Sequence, residues 1–217
     1  MVVNATGVWS GAVDDSIAVQ PSRGTHLVVD AATLGNPTAS LTVPVGKSLS
    51  RYVFALPAQL GRVYIGVTDV AAPPGPIPDV PTPADSEIDF LLDAINPALT
   101  RTLGRSDIVG GVFAGLRPLV YERGNAGGDG GSDGLADVSR RHRVRVRGDG
   151  LVTVLGGKLT TYRRMAEDAV DAALATTEMT AGECVTTTTA LVGALRDPRE
   201  EGLPASLVAR FGGEAPT

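Results

Sequence analysis

Cysteine is nearly absent from this chain. Cys184 stands alone, which excludes an internal disulfide and a thiolate metal cluster. Histidine is scarce too: His26 and His142, with that one cysteine, leave no ligand set for structural zinc, so no metal is expected. Lysine occurs only at Lys47 and Lys158, and the other basic residues are arginine. No run reaches the ~18 apolar residues of a membrane-spanning helix. Met1-Val2-Val3-Asn4 has no basic region leading into an apolar stretch, so no signal peptide is expected. A cytoplasmic location is the default expectation, and contact with a membrane surface stays open. Two nucleotide motifs are also missing. A P-loop needs a glycine five positions before its Gly-Lys pair. Leu41 occupies that position for Gly46-Lys47, and Val152 for Gly157-Lys158. There is no G-x-G-x-x-G, hence no dinucleotide fingerprint.

What is present fits a soluble globular protein. The 217 residues are 43% hydrophobic and 20% charged, enough for one large domain or two small ones. A net charge of -5 argues against generic nucleic-acid binding.

Met1-Val2-Val3 reads as a strand ended by the turn Asn4-Ala5-Thr6-Gly7. Further strands are expected at His26–Val29, at Arg51–Leu56 closed by Pro57, and at Val63–Val67 after a turn at Gly61. The last two are close enough for an antiparallel hairpin. Six prolines within 71–83 form a stiff extended connection. A helix follows, with Thr82 as N-cap and Pro83 at its first position, and Ile88, Leu91, Leu92 and Ile95 form one apolar stripe. Asn96-Pro97 ends it. Residues 108–120 read as strand, and 123–136, with six glycines, as a loop. Arg143–Arg147 alternates charge with valine, and Leu151–Leu155 is a continuous apolar strand. A second helix follows, with Tyr162, Met165, Ala166, Ala169, Val170, Ala173 and Leu174 fitting the helical period as its apolar stripe. The threonines at 186–189 read as linker or edge strand, and Leu203–Phe211 as a short last helix.

Gly156-Gly157-Lys158-Leu159-Thr160-Thr161 joins an apolar strand to a helix. Free N–H groups at a helix start attract anions, and glycine permits close approach. Thr160 or Thr161 can cap the helix. The alternative is a tight turn with a solvated lysine. Gly115-Leu116-Arg117-Pro118-Leu119 places an arginine among apolar residues. Its fork suits a carboxylate or phosphate, or else a structural carboxylate. His26 is a base near neutral pH or a structural residue opening a strand. Thr68-Asp69 orders a turn or a partner histidine. His142, in Ser139-Arg140-Arg141-His142-Arg143, belongs to an anion site or to a solvated strand face.

Together these pieces resemble the FAD-dependent, quinone-linked glycerol-3-phosphate dehydrogenases. The matching stretches are Val3–Trp9, Arg23–Val29, Ile65–Asp69, Ser86–Leu92, Ala114–Leu119, Ser139-Arg140 and Gly156–Arg163. The Gly-Leu-Arg-Pro-Leu and Gly-Gly-Lys-Leu-Thr-Thr-Tyr segments are the specific ones. The resemblance implies oxidation of sn-glycerol 3-phosphate at C2 to dihydroxyacetone phosphate, with hydride passing to FAD and electrons to quinone. It implies Arg117 and Lys158 at the substrate, Arg140 as a phosphate partner and His26 as proton acceptor. Thr6, Gly7, Gly156, Gly157, Lys158, Leu159, Thr160 and Thr161 would lie against the flavin. Peripheral contact at the inner face of the cell membrane and homo-oligomerisation are compatible with it.

The implied fold is α/β with α+β character: a partial FAD-binding flavoprotein fold with a mostly antiparallel substrate-domain sheet. Residues 1–7 give a terminal strand of the FAD domain, 8–145 the substrate domain, 146–180 the returning strand and helix, and 181–217 the start of a helical C-terminal domain. Family members carry a Gly-rich βαβ unit that this chain lacks, so a fragment that retains little FAD and is inactive alone is expected. Two other classes stay open: a non-enzymatic module that binds phosphorylated ligands or complements another polypeptide, and a flavin oxidase of amines or amino acids on the same scaffold.

Overall fold

The computed structural model describes residues 1–46, 51–73, 75–121, 141–194 and 202–214. In chain order the elements are β1 (Val2–Asn4), α1 (Ser10–Val13), β2 (Ala18–Asp30), β3 (Leu41–Pro44), β4 (Tyr52–Ala58), β5 (Arg62–Gly66) and β6 (Val70–Ala71). They continue as α2 (Asp85–Ile95), β7 (Val112–Tyr121), β8 (Arg143–Val146), β9 (Leu151–Leu155), α3 (Tyr162–Leu174) and α4 (Ala205–Phe211). Among the described residues no helix is long and apolar enough to cross a membrane.

The strands divide into two sheets, a mixed α/β architecture whose larger sheet is antiparallel throughout, as expected. In the larger one the order is β3-β4-β5-β2-β6, with β7 also paired to β2. The central element is β2, 13 residues long, where the expected strand covered only His26–Val29. Pro21, Ser22 and Gly24 hide its first half, because each is a poor strand former. Pairing overrides that. β7 runs against Ala18–Leu27 along one edge, while β5 and β6 share the other. Pro21 stands opposite Pro118, so neither strand has an amide hydrogen to leave unpaired there.

The β4–β5 hairpin forms as expected, turning through Leu60 and Gly61, both at positive φ. Pro57 does not close β4 but lies within it, at a position paired only with β5, where its missing N–H faces no neighbouring strand. β3, which sequence reasoning did not expect, adds to the outer edge of β4.

Helix α2 covers one face of this sheet. The stripe Ile88, Leu91, Leu92 and Ile95 is buried against Leu27, Val29, Val53, Ala55, Val63 and Ile65. Each such side chain contributes about 1.5–3 kcal/mol on burial. The helix begins later than its sequence signals imply. Thr82 and Pro83 precede it, Ala84 is the residue before the first turn, and the Glu87 carboxylate accepts the Ala84 N–H at 3.0 Å. Glu87 is anchored elsewhere in the core, and this sets the start. Asn96 terminates the helix by accepting the Leu103 N–H at 2.8 Å and donating to the Leu103 carbonyl at 3.0 Å.

The smaller sheet has the order β1-β9-β8. β1 is parallel to β9, with Val2, Val3 and Asn4 opposite Leu151, Val152 and Thr153, and β8 is antiparallel to β9. Helix α3 packs on this sheet. Only Ala169 and Ala173 of its stripe are buried, and Val170 is 55% exposed. Three strands are too narrow to cover the stripe expected from its periodicity. Asp14, after α1, clamps the sheet from its side: it accepts the Ser16 hydroxyl and N–H, the Thr153 hydroxyl and Arg147 Nη1. Those bonds, the Ser16 hydroxyl first, hold the Asp14 carboxyl below the usual carboxylate range despite burial. Thr186–Thr189 forms an exposed turn rather than an edge strand. The last helix is present as α4. The glycine-rich stretch 123–136 lies outside the described residues.

The α2 stripe makes the first prediction. Leu91 is fully buried, so Leu91→Ala is expected to lower the unfolding free energy by about 2–5 kcal/mol in chemical denaturation. A loss under about 1 kcal/mol would show that α2 does not seal this core.

Candidate functional site

Alternation along β2 sorts its residues onto two faces. Arg23, Thr25 and Leu27 turn toward α2. Ser22, Gly24 and His26 turn the other way, beside their β7 partners Arg117, Gly115 and Phe113. The second face is partly open: Leu56, Tyr64 and Phe113 on it are 37%, 38% and 45% exposed.

On this open face Arg117 lies across β2. A Cβ at Gly24 would collide with the guanidinium, so glycine is what lets the fork lie flat on the strand. Arg117 Nη1 donates to the Thr68 carbonyl at 3.2 Å and pairs with Asp69 Oδ1 at 3.4 Å. Asp69 also accepts the Ser22 hydroxyl. Both readings of Arg117 therefore meet: it has a structural carboxylate, and its side chain remains 31% exposed to a ligand. Asp69 orders this arginine rather than a histidine.

His26 sits on the same face. Its ring stacks on Phe113 at 4.9 Å and 8°, leans against Phe54, and occupies the space a side chain at Gly66 would fill. Nδ1 is buried without a hydrogen-bond partner among the described residues. Burial, and then the Arg117 charge, lower the His26 pKa, so the imidazole is neutral near pH 7.

Beneath the sheet lies a polar group that sequence reasoning missed. The Glu87 carboxylate accepts the Thr68 hydroxyl at 2.7 Å and the Thr25 hydroxyl at 3.0 Å, and pairs with Arg23 at 2.7 Å. Burial would raise its pKa, but the bonds from Thr68, Ala84 and Thr25 and the Arg23 charge outweigh that and lower it. One signal was available: Glu87 falls four residues before Leu91, on the apolar stripe of α2.

The second cluster is at the carboxyl end of the parallel pair β1 and β9. Asn4 is opposite Thr153, so the register carries Gly7 and Gly156 to matching positions three residues on. The buried Asn4 side chain fixes the first turn, donating to the Ser10 carbonyl and accepting the Thr6 hydroxyl at 2.6 Å. Gly156 and Gly157 have φ of 65° and 87°. A side chain at Gly156 would meet the Arg141 carbonyl, and one at Gly157 the Met165 and His142 side chains. Lys158, Leu159, Thr160 and Thr161 are exposed. Thr161 does not cap α3: its hydroxyl bonds back to the Lys158 carbonyl at 2.9 Å. A 3-10 turn over Leu159–Thr161 pushes the helix start to Tyr162. His142 belongs to neither expected role; it shares a 2.7 Å hydrogen bond with Asp168 behind the glycine turn.

The structure thus groups His26, Arg117, Ser22 and Asp69 on one face, and Thr6, Gly7 and Gly156–Thr161 at one sheet end. The segment Gly7–Trp9, which begins in the second cluster, packs on both β2 and β7, the strands that carry most of the first. No hydrogen bond or ion pair joins Lys158 to Arg117 among the described residues. Arg140 lies outside them. A groove of about 650 Å³ between β3 and α2, lined by Val43, Val45, Asp89, Phe90 and Asp93, contains none of these residues.

An antiparallel sheet with an arginine-bearing open face, beside a parallel strand pair ending in glycine turns, suits a flavoprotein oxidoreductase. Residues 1–198 match the FAD dependent oxidoreductase family, and the chain belongs to it. FAD is the cofactor of that family. Among its relatives, the chain is 50% identical to glycerol-3-phosphate dehydrogenase 1 of Mycobacterium tuberculosis over 219 residues, covering 99% of this chain and 41% of that protein. It is 37% identical to a mitochondrial glycerol-3-phosphate dehydrogenase of Arabidopsis thaliana, covering 89% of this chain and 30% of that one. The solved glycerol-3-phosphate dehydrogenase from Bacillus halodurans, complexed with FAD, superposes with a TM-score of 0.68 at 29% identity, covering 90% of this chain and 36% of that one. The chain therefore spans less than half the length of these relatives.

The depressed His26 pKa gives a second prediction. With the folded value below the unfolded one, the associated stability is complete above about pH 6.5 and declines as pH falls through the folded pKa. An imidazole NMR titration should place the His26 midpoint below about 6.5. A midpoint at or above that value would remove the picture of a neutral, desolvated ring.

Proposed function

We propose that this chain carries the substrate-facing part of a reaction that oxidises sn-glycerol 3-phosphate to dihydroxyacetone phosphate, with electrons passing on to a quinone. The observation that carries this reading is the Arg117 guanidinium spread over Gly24 beside a neutral imidazole on one accessible sheet face. A planar fork with part of its surface open to solvent recognises a phosphate dianion through paired charge-assisted hydrogen bonds. Lys158 and Arg140 supply further positive charge.

The remaining parts follow from the chemistry of each group. His26, kept neutral, takes the proton of the C2 hydroxyl at its imidazole. Phe113 and Phe54 fix the ring plane and exclude water from one side of it. The residues at the end of β1 and β9 fit the family's cofactor: Gly7 has open space where a side chain would stand, and Gly156 and Gly157 turn the chain at positive φ. Thr6, Gly7 and Gly156–Thr161 would hold it, with Lys158 beside it. When bound, FAD supplies the acceptor for the C2 hydride. In this assignment the small sheet and α3 form the cofactor side, which β8 enters at Arg143, and the large sheet with α2 forms the substrate side. The quinone step places the working enzyme at the inner face of a membrane.

Replacing the residues that match Arg117 or Lys158 by alanine in a full-length relative is expected to raise KM or lower kcat at least about tenfold, or ~1.4 kcal/mol. Steady-state kinetics unchanged at both positions would remove them from the site. The 217-residue chain itself contains no G-x-G-x-x-G and is expected to purify colourless and inactive. A flavin absorption band near stoichiometric occupancy would contradict that.

A further inference from the structure

Arg117 is held from the far side of the sheet. The carbonyl that accepts its Nη1 belongs to Thr68, which is 2% exposed. The Thr68 hydroxyl has one proton to donate. It lies 2.7 Å from Glu87 Oε1 and 3.4 Å from the Arg23 carbonyl, so Glu87 receives it. The same oxygen accepts the Thr25 N–H at 2.9 Å. One residue therefore faces both ways, with its hydroxyl locked into the core beneath the sheet and its carbonyl on the guanidinium above. Glu87 is locked in turn by Thr25, the Ala84 N–H and Arg23. Its side chain is 4% exposed and lies on the α2 side of the sheet, away from the open face.

We propose that Glu87, acting through Thr68, is the positioning residue that fixes the Arg117 guanidinium on the open face and thereby sets the affinity for the anionic group of the substrate. This role rests on reading that face as the substrate site. An arginine side chain has many rotamers, and a fork binds a dianion well only when it is already aimed. Asp69 follows Thr68 directly on the short segment between β5 and β6, so the Thr68 carbonyl and the Asp69 carboxylate reach Arg117 from one anchored turn. A buried carboxylate with every lone pair engaged is costly to desolvate but specifies one geometry, and a half-satisfied version would specify none.

The test uses the 217-residue chain and its two histidines, distinguished by His142→Asn. His26 faces Phe54, Phe113 and Gly66, and the charge whose field lowers its pKa is Arg117. In imidazole NMR titrations Arg117→Ala is expected to raise the His26 midpoint. Thr68→Val and Glu87→Gln should raise it too, and Thr68→Ser, which keeps the hydroxyl, should restore it. In the Arg117→Ala background Thr68→Val should add nothing, because its effect passes through the missing guanidinium. Amide spectra report whether each variant is folded. A wild-type His26 midpoint in folded Thr68→Val and Glu87→Gln, or full additivity with Arg117→Ala, would overturn the positioning role. In a full-length relative, valine at the position matching Thr68 should raise KM about fivefold while kcat stays within about twofold. A tenfold KM rise at the Arg117 position with no change at the Thr68 position would overturn this role and leave the reaction standing. Unchanged kinetics at the Arg117 position would sink the reaction, and the role with it.

Discussion

Strand β2 has to serve a sealed core and an accessible surface with one stretch of backbone. Because side chains alternate, each residue that meets α2 is followed by one on the opposite face of the sheet. Leu27 and Val29 supply the apolar half of the sealed side, while Arg23 and Thr25 supply a polar patch that binds Glu87. Ser22, Gly24 and His26 then fall on the accessible side by necessity, and β7 brings Arg117 and Phe113 to the same face. A one-residue slip between β2 and β7 would exchange the two sets, burying a guanidinium and exposing leucine. Register is therefore the constraint from which the site's geometry follows.

The electrostatics separate into a rigid layer and an exchangeable one. Glu87 is buried, with its acceptors filled, and removing one partner would leave an uncompensated buried charge. The pair of Arg117 with Asp69 is different. At 3.4 Å, with both side chains partly exposed, it is worth on the order of 0–1 kcal/mol. An incoming dianion that offers two oxygens to the fork competes with such a contact readily. The guanidinium is thus held in place while its side chain stays 31% exposed.

Sequence periodicity was enough for the parts that bury apolar stripes. The α2 residues Ile88, Leu91, Leu92 and Ile95, the β4–β5 hairpin and the apolar run of β9 follow from it directly. The first half of β2 did not, since Pro21, Ser22 and Gly24 are each unfavourable in strands and are tolerated only because two neighbours hydrogen-bond around them. The stripe of α3 over-promised, because periodicity shows which face is apolar but not how wide a surface will meet it. Arg117 and His26 stood out by residue type in an apolar setting. Glu87 did not, because a glutamate in the first turn of a helix ordinarily interacts with the helix dipole and water. Only its place on the stripe hinted at burial. The packing of Gly7–Trp9 across both β2 and β7 is encoded by no local pattern.

Gly24 ties two distant positions into a single unit of variation. The arginine can keep its pose only where position 24 has no side chain, and a glycine in mid-strand has little other reason to persist. Among homologous chains the two should be inherited or lost together. A relative with a bulkier residue at the first position must raise its cation off the strand or dispense with it, and would recognise a ligand of different charge.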